Sequence, residues 1–302
     1  MVLRFLLRNW LQGVARDKIR EKVVGTAQEK MDEMRGEFHE KEGQTETDAD
    51  LSVDVGIVFA LSFEAGGTAD LLDSFSTTRG SGFTSQHGRL AGRRLALFES
   101  GAGPSRATVA TEALIETHRP QWVISAGFAG GLVPQLKRHD IVMADSVVNA
   151  AGRRLGIDLK IDAATLPPGV HVGRILSVDQ IVRLPRDKQS LGRAHEALAV
   201  DLESFAVAEA CRRRGVRFLG VRIITDTMHE QLPVDIQHLT DQTTAASRLG
   251  AAMGAVCRRP SSMKDMLQLK ENALLGSDRL AHFLDGMVRQ LVPLDEVHDD
   301  GL

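Results

Sequence analysis

From about Val53, apolar runs of strand length alternate with segments of helical period. "VDVGIVFAL" (53–61), "RRLALFES" (93–100), "QWVISAG" (121–127), "DIVMADSVV" (140–148), "VHVGRILSV" (170–178) and "VRFLGVRIITD" (216–226) read as six strands. Between them, helices are expected over Ala107–His118, after the turn "GAGPS", and over Glu203–Arg213, closed by Gly215. A further helix over 243–257 completes the unit. This alternation predicts an α/β domain whose helices flank a largely parallel or mixed sheet. After Pro260 the pattern reads as one or two amphipathic helices broken near Gly276 and Ser277, an appendage ending in the acidic "DEVHDDGL".

The N-terminus has a different rhythm. Leu3, Leu6, Leu7, Trp10, Leu11 and Val14 share one helical face, with Arg4, Arg8, Arg16 and Lys18 on the polar side or ends. The arginines interrupt the apolar run, so it reads as a basic amphipathic helix rather than a signal peptide. Residues 1–18 could lie on an anionic membrane surface. Packing on protein is the preferred reading, because amphipathic helices mostly serve cores. Residues 16–50 are dense in Lys, Glu, Asp, Gln and Thr and form a solvated helix and linker. The expected organisation is thus 1–50, 53–257 and 258–302, without internal repeats.

Composition narrows the class. Of the 302 residues, 43% are hydrophobic and 25% charged, which is ordinary for a globular protein with a sizeable core. A formal net charge of −3 gives no reason to expect a nucleic-acid partner. Cys211 and Cys257 lie far apart in apolar contexts, without zinc spacing, so buried thiols in a reducing, cytoplasmic compartment are expected. No metal or organic cofactor is implied. The absence of Tyr leaves any base stacking to Phe or aliphatic residues.

Candidate chemistry sits at the carboxyl ends of the strands, where open α/β sheets bind ligands. Those ends present Glu64, Ser100 with the Gly101 turn, "SAGFAGGL", Ser177 and Asp179, and Thr225 and Asp226. "VDLESFAVAEA" (200–210) adds Asp201 and Glu203 at the mouth of a helix, where capping is the ordinary role of an acid. Singly, each acid is explained as a cap, a turn or a solvated loop residue. "GAGPSR" is not a dinucleotide fingerprint. Together, the acids form a rim without a matching basic cluster, suited to stabilising positive charge and exchanging protons.

The order and spacing of "GIVFALSFEAGG", "ESGAGPSRATVA", "SAGFAGGL", "ILSVDQIV", "VDLESFAVAEAC" and "VRIITD" resemble the nucleoside phosphorylase/nucleosidase superfamily. The chain looks most like its 5′-methylthioadenosine/S-adenosylhomocysteine nucleosidase branch over about residues 53–257. The resemblance implies a three-layer α/β/α fold with a central mixed, twisted sheet. It also implies cleavage of a purine N-ribosidic bond with release of adenine, a place in methionine salvage, and a homo-oligomer such as a homodimer. Carried over by motif, Asp226 is the general acid at purine N7, kept protonated by burial. Glu203 holds the ribose hydroxyls as a carboxylate, Leu202 packs beneath the sugar and Glu64 orients the attacking water. Ser100, Gly101, Phe128, Asp179, Ile181 and Val182 complete the expected binding set, with backbone groups near 180–183 reading the base.

Departures shape the expectation. Ser125 and Phe128 stand where phosphorolytic relatives usually place Arg and Ser or Thr, which favours water over phosphate. Arg106 and Arg222 remain possible phosphate donors. Ile181 stands where the branch has the stacking Phe, so Phe63, Phe128 or Phe205 would have to compensate. "VDLESFAV…ITD…LP" also looks like the hopanoid-associated branch, proposed to remove adenine from an adenosyl lipid. An inactive relative acting as a binding module is the third reading, opposed by the retained Glu64, Glu203 and Asp226.

Overall fold

The computed structural model describes residues 52–80, 82–158, 166–233 and 262–292. The expected segments 1–18 and 243–257 lie outside the described residues. No described helix is long and apolar enough to cross a membrane.

Ten strands form one mixed sheet: β1 (Val55–Phe59), β2 (Asp73–Arg79), β3 (Thr84–Leu90), β4 (Arg93–Glu99), β5 (Trp122–Gly131), β6 (Ile141–Asn149), β7 (Arg154–Gly156), β8 (Val170–Ser177), β9 (Ala199–Asp201) and β10 (Arg217–Asp226). Among the described residues, five helices accompany them: α1 (Ser62–Asp70), α2 (Pro104–His118), α3 (Pro185–His195), α4 (Ser204–Arg214) and α5 (Ser262–Leu291). The strand order is β10-β6-β8-β9-β5-β1-β4-β3-β2. β10 also pairs with β5, so β10, β6, β8, β9 and β5 close into a ring; β1, β4, β3 and β2 extend from β5, and β7 pairs with β6. The six expected strands are present. The β2–β3 hairpin is an addition, because "DSFSTTR" and "TSQHGRL" lack the apolar content that marks a core strand.

β1 shows why the sheet is covered on both sides. Every residue is buried, as in strands packed on two faces. Val55, Ile57 and Phe59 join one cluster with Ala65 of α1 and Leu280, Leu284 and Val288 of α5. Val58 joins the other with Ala107 and Leu114 of α2 and Val207 and Cys211 of α4. Successive side chains point to opposite faces, so one strand seats two helical layers. Burial pushes the Cys211 thiol up to about 12, making it a packing residue rather than a nucleophile.

α5 departs from the expected appendage. It runs unbroken through Gly276 and Ser277, and its apolar stripe is part of the main core. Ser277 explains the continuity. Its hydroxyl donates to the Glu64 carbonyl at 3.2 Å and accepts from the Gly67 N–H at 2.9 Å, bonding α5 directly to α1. A Cβ at Gly67 would lie 2.7 Å from the Ser277 carbonyl oxygen. Gly67→Ala is therefore expected to destabilise the fold by about 1–3 kcal/mol, read from the urea unfolding midpoint, because two helix backbones would have to part.

Candidate active site

Glu64 lies in the first turn of α1 and is buried, not solvated. Its Oε2 accepts the N–H groups of Leu61 at 2.8 Å and Ala60 at 3.1 Å, so it closes the helix start from within. Its Oε1 accepts the Phe128 N–H at 2.8 Å, bridging α1 to the end of β5. A Cβ at Gly127, whose φ is +156°, would lie 2.8 Å from that oxygen, so the close approach requires glycine. Burial raises the Glu64 pKa against the lowering effect of its backbone donors.

Asp201 and Glu203 divide the roles open to them at the helix mouth. Asp201 accepts the Ser204 N–H weakly, at 3.3 and 3.4 Å. Its stronger partners are the Ser177 hydroxyl at 2.6 Å and Arg222 Nε at 2.7 Å. Glu203 makes no capping bond. Its Oε1 accepts the Gly103 N–H at 2.8 Å across the "GAGPS" turn, where Gly103 has φ +105°. Burial, followed by the neighbouring Asp201 charge, raises Glu203 to about 8. The buried carboxyl is therefore pushed toward its protonated form, against the carboxylate expected from the sequence.

The acidic rim is not without bases. Arg222 is only 2% exposed. Beyond Asp201 it donates to the Ser125 carbonyl (2.8 Å), the Val221 carbonyl (2.9 Å) and the Ser125 hydroxyl (2.8 Å). Four of its five N–H donors are thus committed to protein, and only one Nη2 hydrogen remains. Lys188 is fully buried and ion-paired with Asp226 Oδ2. Asp226 Oδ1 accepts the Thr225 hydroxyl at 3.0 Å. Burial raises the Asp226 pKa, as expected, while Lys188 pulls against it. Lys188 escaped notice because α3 reads as polar. Its signal is the spacing Leu184, Lys188, Leu191 and Gly192, which puts a lysine on the inward stripe.

Three cavities organise the remaining residues. The smallest, about 10 Å³, is lined by Glu64, Ser100, Ser125, Phe128, Glu203 and Arg222 among others. A second, about 560 Å³, is bounded by 178–184 with Asp187 and Leu191, and so takes in Asp179, Ile181 and Val182. A third, about 250 Å³, holds Leu202, Phe205, Ser177 and Asp179. Gly101 follows Ser100 in the turn and lies beside Arg106, whose Cδ would be 3.0 Å from a Cβ there. Among the described residues, no Phe lines the cavity at Ile181. Phe63 and Phe128 pack on each other beside Glu64, with centroids 5.5 Å apart, and Phe205 lies under Arg153.

The phosphorylase superfamily model matches residues 54–165 and 158–258. The chain belongs to the phosphorylase superfamily. Its activity is therefore of the nucleoside phosphorylase/nucleosidase type. Among curated members it is 29% identical to the 5′-methylthioadenosine/S-adenosylhomocysteine nucleosidase of Shewanella halifaxensis, over 60% of this chain and 89% of that one. It is 31% identical to the Shewanella oneidensis protein of the same name, over 49% of this chain and 73% of that one. Its fold matches the corresponding S. pneumoniae nucleosidase, solved with a transition-state inhibitor, at a TM-score of 0.60 and 19% identity. That match covers 79% of this chain and 99% of the other. A futalosine hydrolase mutant of Helicobacter pylori matches at 0.56 and 20% identity, over 78% and 98%. These solved structures share the mixed-sheet α/β fold with this chain. The comparisons give no support to the hopanoid-associated likeness.

The raised Glu203 pKa has a stability consequence. A folded-state value above the unfolded one favours folding below about pH 4.5, and that contribution is lost as pH rises through about 8. Glu203→Gln should therefore melt progressively higher than the wild type between pH 6 and 9, with the two nearest at acidic pH. Thermal unfolding across that range checks it.

Proposed function

We propose that this chain hydrolyses the N-ribosidic bond of a purine nucleoside of the 5′-methylthioadenosine or S-adenosylhomocysteine type, releasing adenine. The observation that carries the choice of water is the small cavity between Glu64, Ser100, Glu203 and Arg222. Its volume of about 10 Å³ approaches the 10–15 Å³ that one water needs. Phosphate, with a phosphorus and four oxygens, is far larger. Its charge would also want free cationic donors, and Arg222 has one N–H left.

The chemistry follows from the positions of the acids. Breaking C1′–N9 builds positive charge on the ribosyl ring and negative charge on the purine. Asp226, held by burial toward the protonated form, gives its proton to the base. Glu64 orients the attacking water and takes up its proton. Glu203 accepts the ribose hydroxyls, which favours its ionised form, so substrate binding and loss of the Glu203 proton are coupled. Because that proton is lost near pH 8, KM should fall by roughly tenfold or more between pH 6 and 8, measured as the pH profile of KM.

Purified protein incubated with methylthioadenosine, S-adenosylhomocysteine, adenosine and inosine, with and without phosphate, tests the reading. Free adenine and free sugar at a rate indifferent to phosphate are expected. A ribose 1-phosphate product would overturn hydrolysis. Asp226→Asn and Glu64→Gln should each lower kcat by about 10²–10⁴-fold. No base release from any nucleoside would leave a binding module as the better reading.

A further inference from the structure

The Lys188–Asp226 pair is the feature of the site that the reaction scheme leaves without a task. Three acceptors surround Lys188 Nζ: Asp226 Oδ2, the Thr227 carbonyl at 2.9 Å and the Glu230 carbonyl at 2.8 Å. They match the three donors of an ammonium group and leave none for a ligand. The lysine is delivered by close packing. α3 carries only Lys188 and Gly192 fully buried, four residues apart on one face. A Cβ at Gly192 would lie 2.6 Å from the Leu132 carbonyl, so α3 presses directly on the end of β5. β5 also closes on the carboxylate: a Cβ at Gly130 would lie 3.1 Å from Asp226 Oδ2. Asp226 is thus gripped at Oδ2 by Lys188 and at Oδ1 by Thr225.

We propose that Lys188 is a positioning residue for Asp226: it fixes the carboxyl toward the leaving base and neutralises the carboxylate left when the proton moves to the purine. This rests on the nucleosidase reading. The step balances: the O–H bond of Asp226 breaks, an N–H bond forms on the base, and the electrons of C1′–N9 leave with the base. Lys188 keeps its three protons throughout. A buried carboxylate formed without a counter-ion would meet the full cost of desolvation. The charged groups facing Asp226 are Lys188 from α3 and Glu230 from the segment after β10, the latter held by Arg138 at 2.5 Å. Lys188 favours the ionised carboxylate, and Glu230 and burial oppose it.

The test is the pH dependence of kcat for methylthioadenosine in the full chain, for wild type, Lys188→Met and Lys188→Arg. A 4-nitrophenyl riboside, whose leaving group needs no proton, serves as a second substrate. Removing the cation removes the strongest influence lowering the Asp226 pKa, so the alkaline limb of Lys188→Met moves to higher pH. Its kcat at the plateau should fall about 10–100-fold with KM within threefold, while nitrophenyl riboside turnover stays within threefold. Lys188→Arg should keep the wild-type limb and lose at least tenfold in kcat. If Lys188→Met does not fold, Lys188→Arg decides alone by that outcome. A Lys188→Met protein with an unmoved limb and kcat within twofold overturns the inference and leaves the nucleosidase reading intact. So does Lys188→Arg with kcat within twofold. Absence of base release by the wild type overturns the nucleosidase reading, and this inference with it.

Discussion

The buried ion pair between Arg222 and Asp201 is the constraint on which the site depends. A guanidinium and a carboxylate that are both almost fully excluded from water persist only when nearly all their donors and acceptors are bonded. Meeting that demand fixes four strands and a helix at once. Arg222 comes from β10, Asp201 from β9, Ser125 from β5 and Ser177 from β8. Ser177 in turn accepts the Phe205 N–H at 2.9 Å, setting the start of α4. Glu203, two residues beyond Asp201, is held toward Gly103 because its chain leaves this knot in one direction only.

The four acids of the site fall into two electrostatic kinds. Asp201 and Asp226 each own a cation. Glu64 and Glu203 do not: backbone N–H groups supply their hydrogen bonds, and Arg222 acts on them only through space. A low-dielectric interior penalises the unpaired kind most, and Asp201 adds its repulsion to Glu203. The result is a set of carboxyls separated by their partners: burial pushes Glu64, Glu203 and Asp226 up, opposed by backbone donors at the two glutamates and by Lys188 at Asp226. In the proposed chemistry that separation lets one acid give a proton while another accepts hydroxyls.

Much of this was legible in the chain because strand-end chemistry is local. Glu64, Ser100, Glu203 and Asp226 each follow an apolar run directly, and the alternation of strands and helices places such ends on one rim. The partners were harder to see. Lys188 lies 38 positions from Asp226, inside a helix whose composition is that of a solvated surface. Arg222 stands within a strand and looked available for phosphate, whereas its hydrogen bonds go to protein. The β2–β3 hairpin was missed because its threonines and serines carry β propensity without hydrophobicity. Long-range pairing, not local preference, decides all three.

The seating of α5 on α1 also dictates when the site can exist. Ser277 bonds to the Glu64 carbonyl across 213 positions of sequence. Synthesis proceeds from the N-terminus, so the helix bearing Glu64 emerges long before the residue that completes its anchorage. A ribosome that stalls after β10 has made every acidic residue of the rim, yet α1 still lacks its cover and part of its core. A chain cut short before α5 thus carries the residues of the site without the helix that supports Glu64.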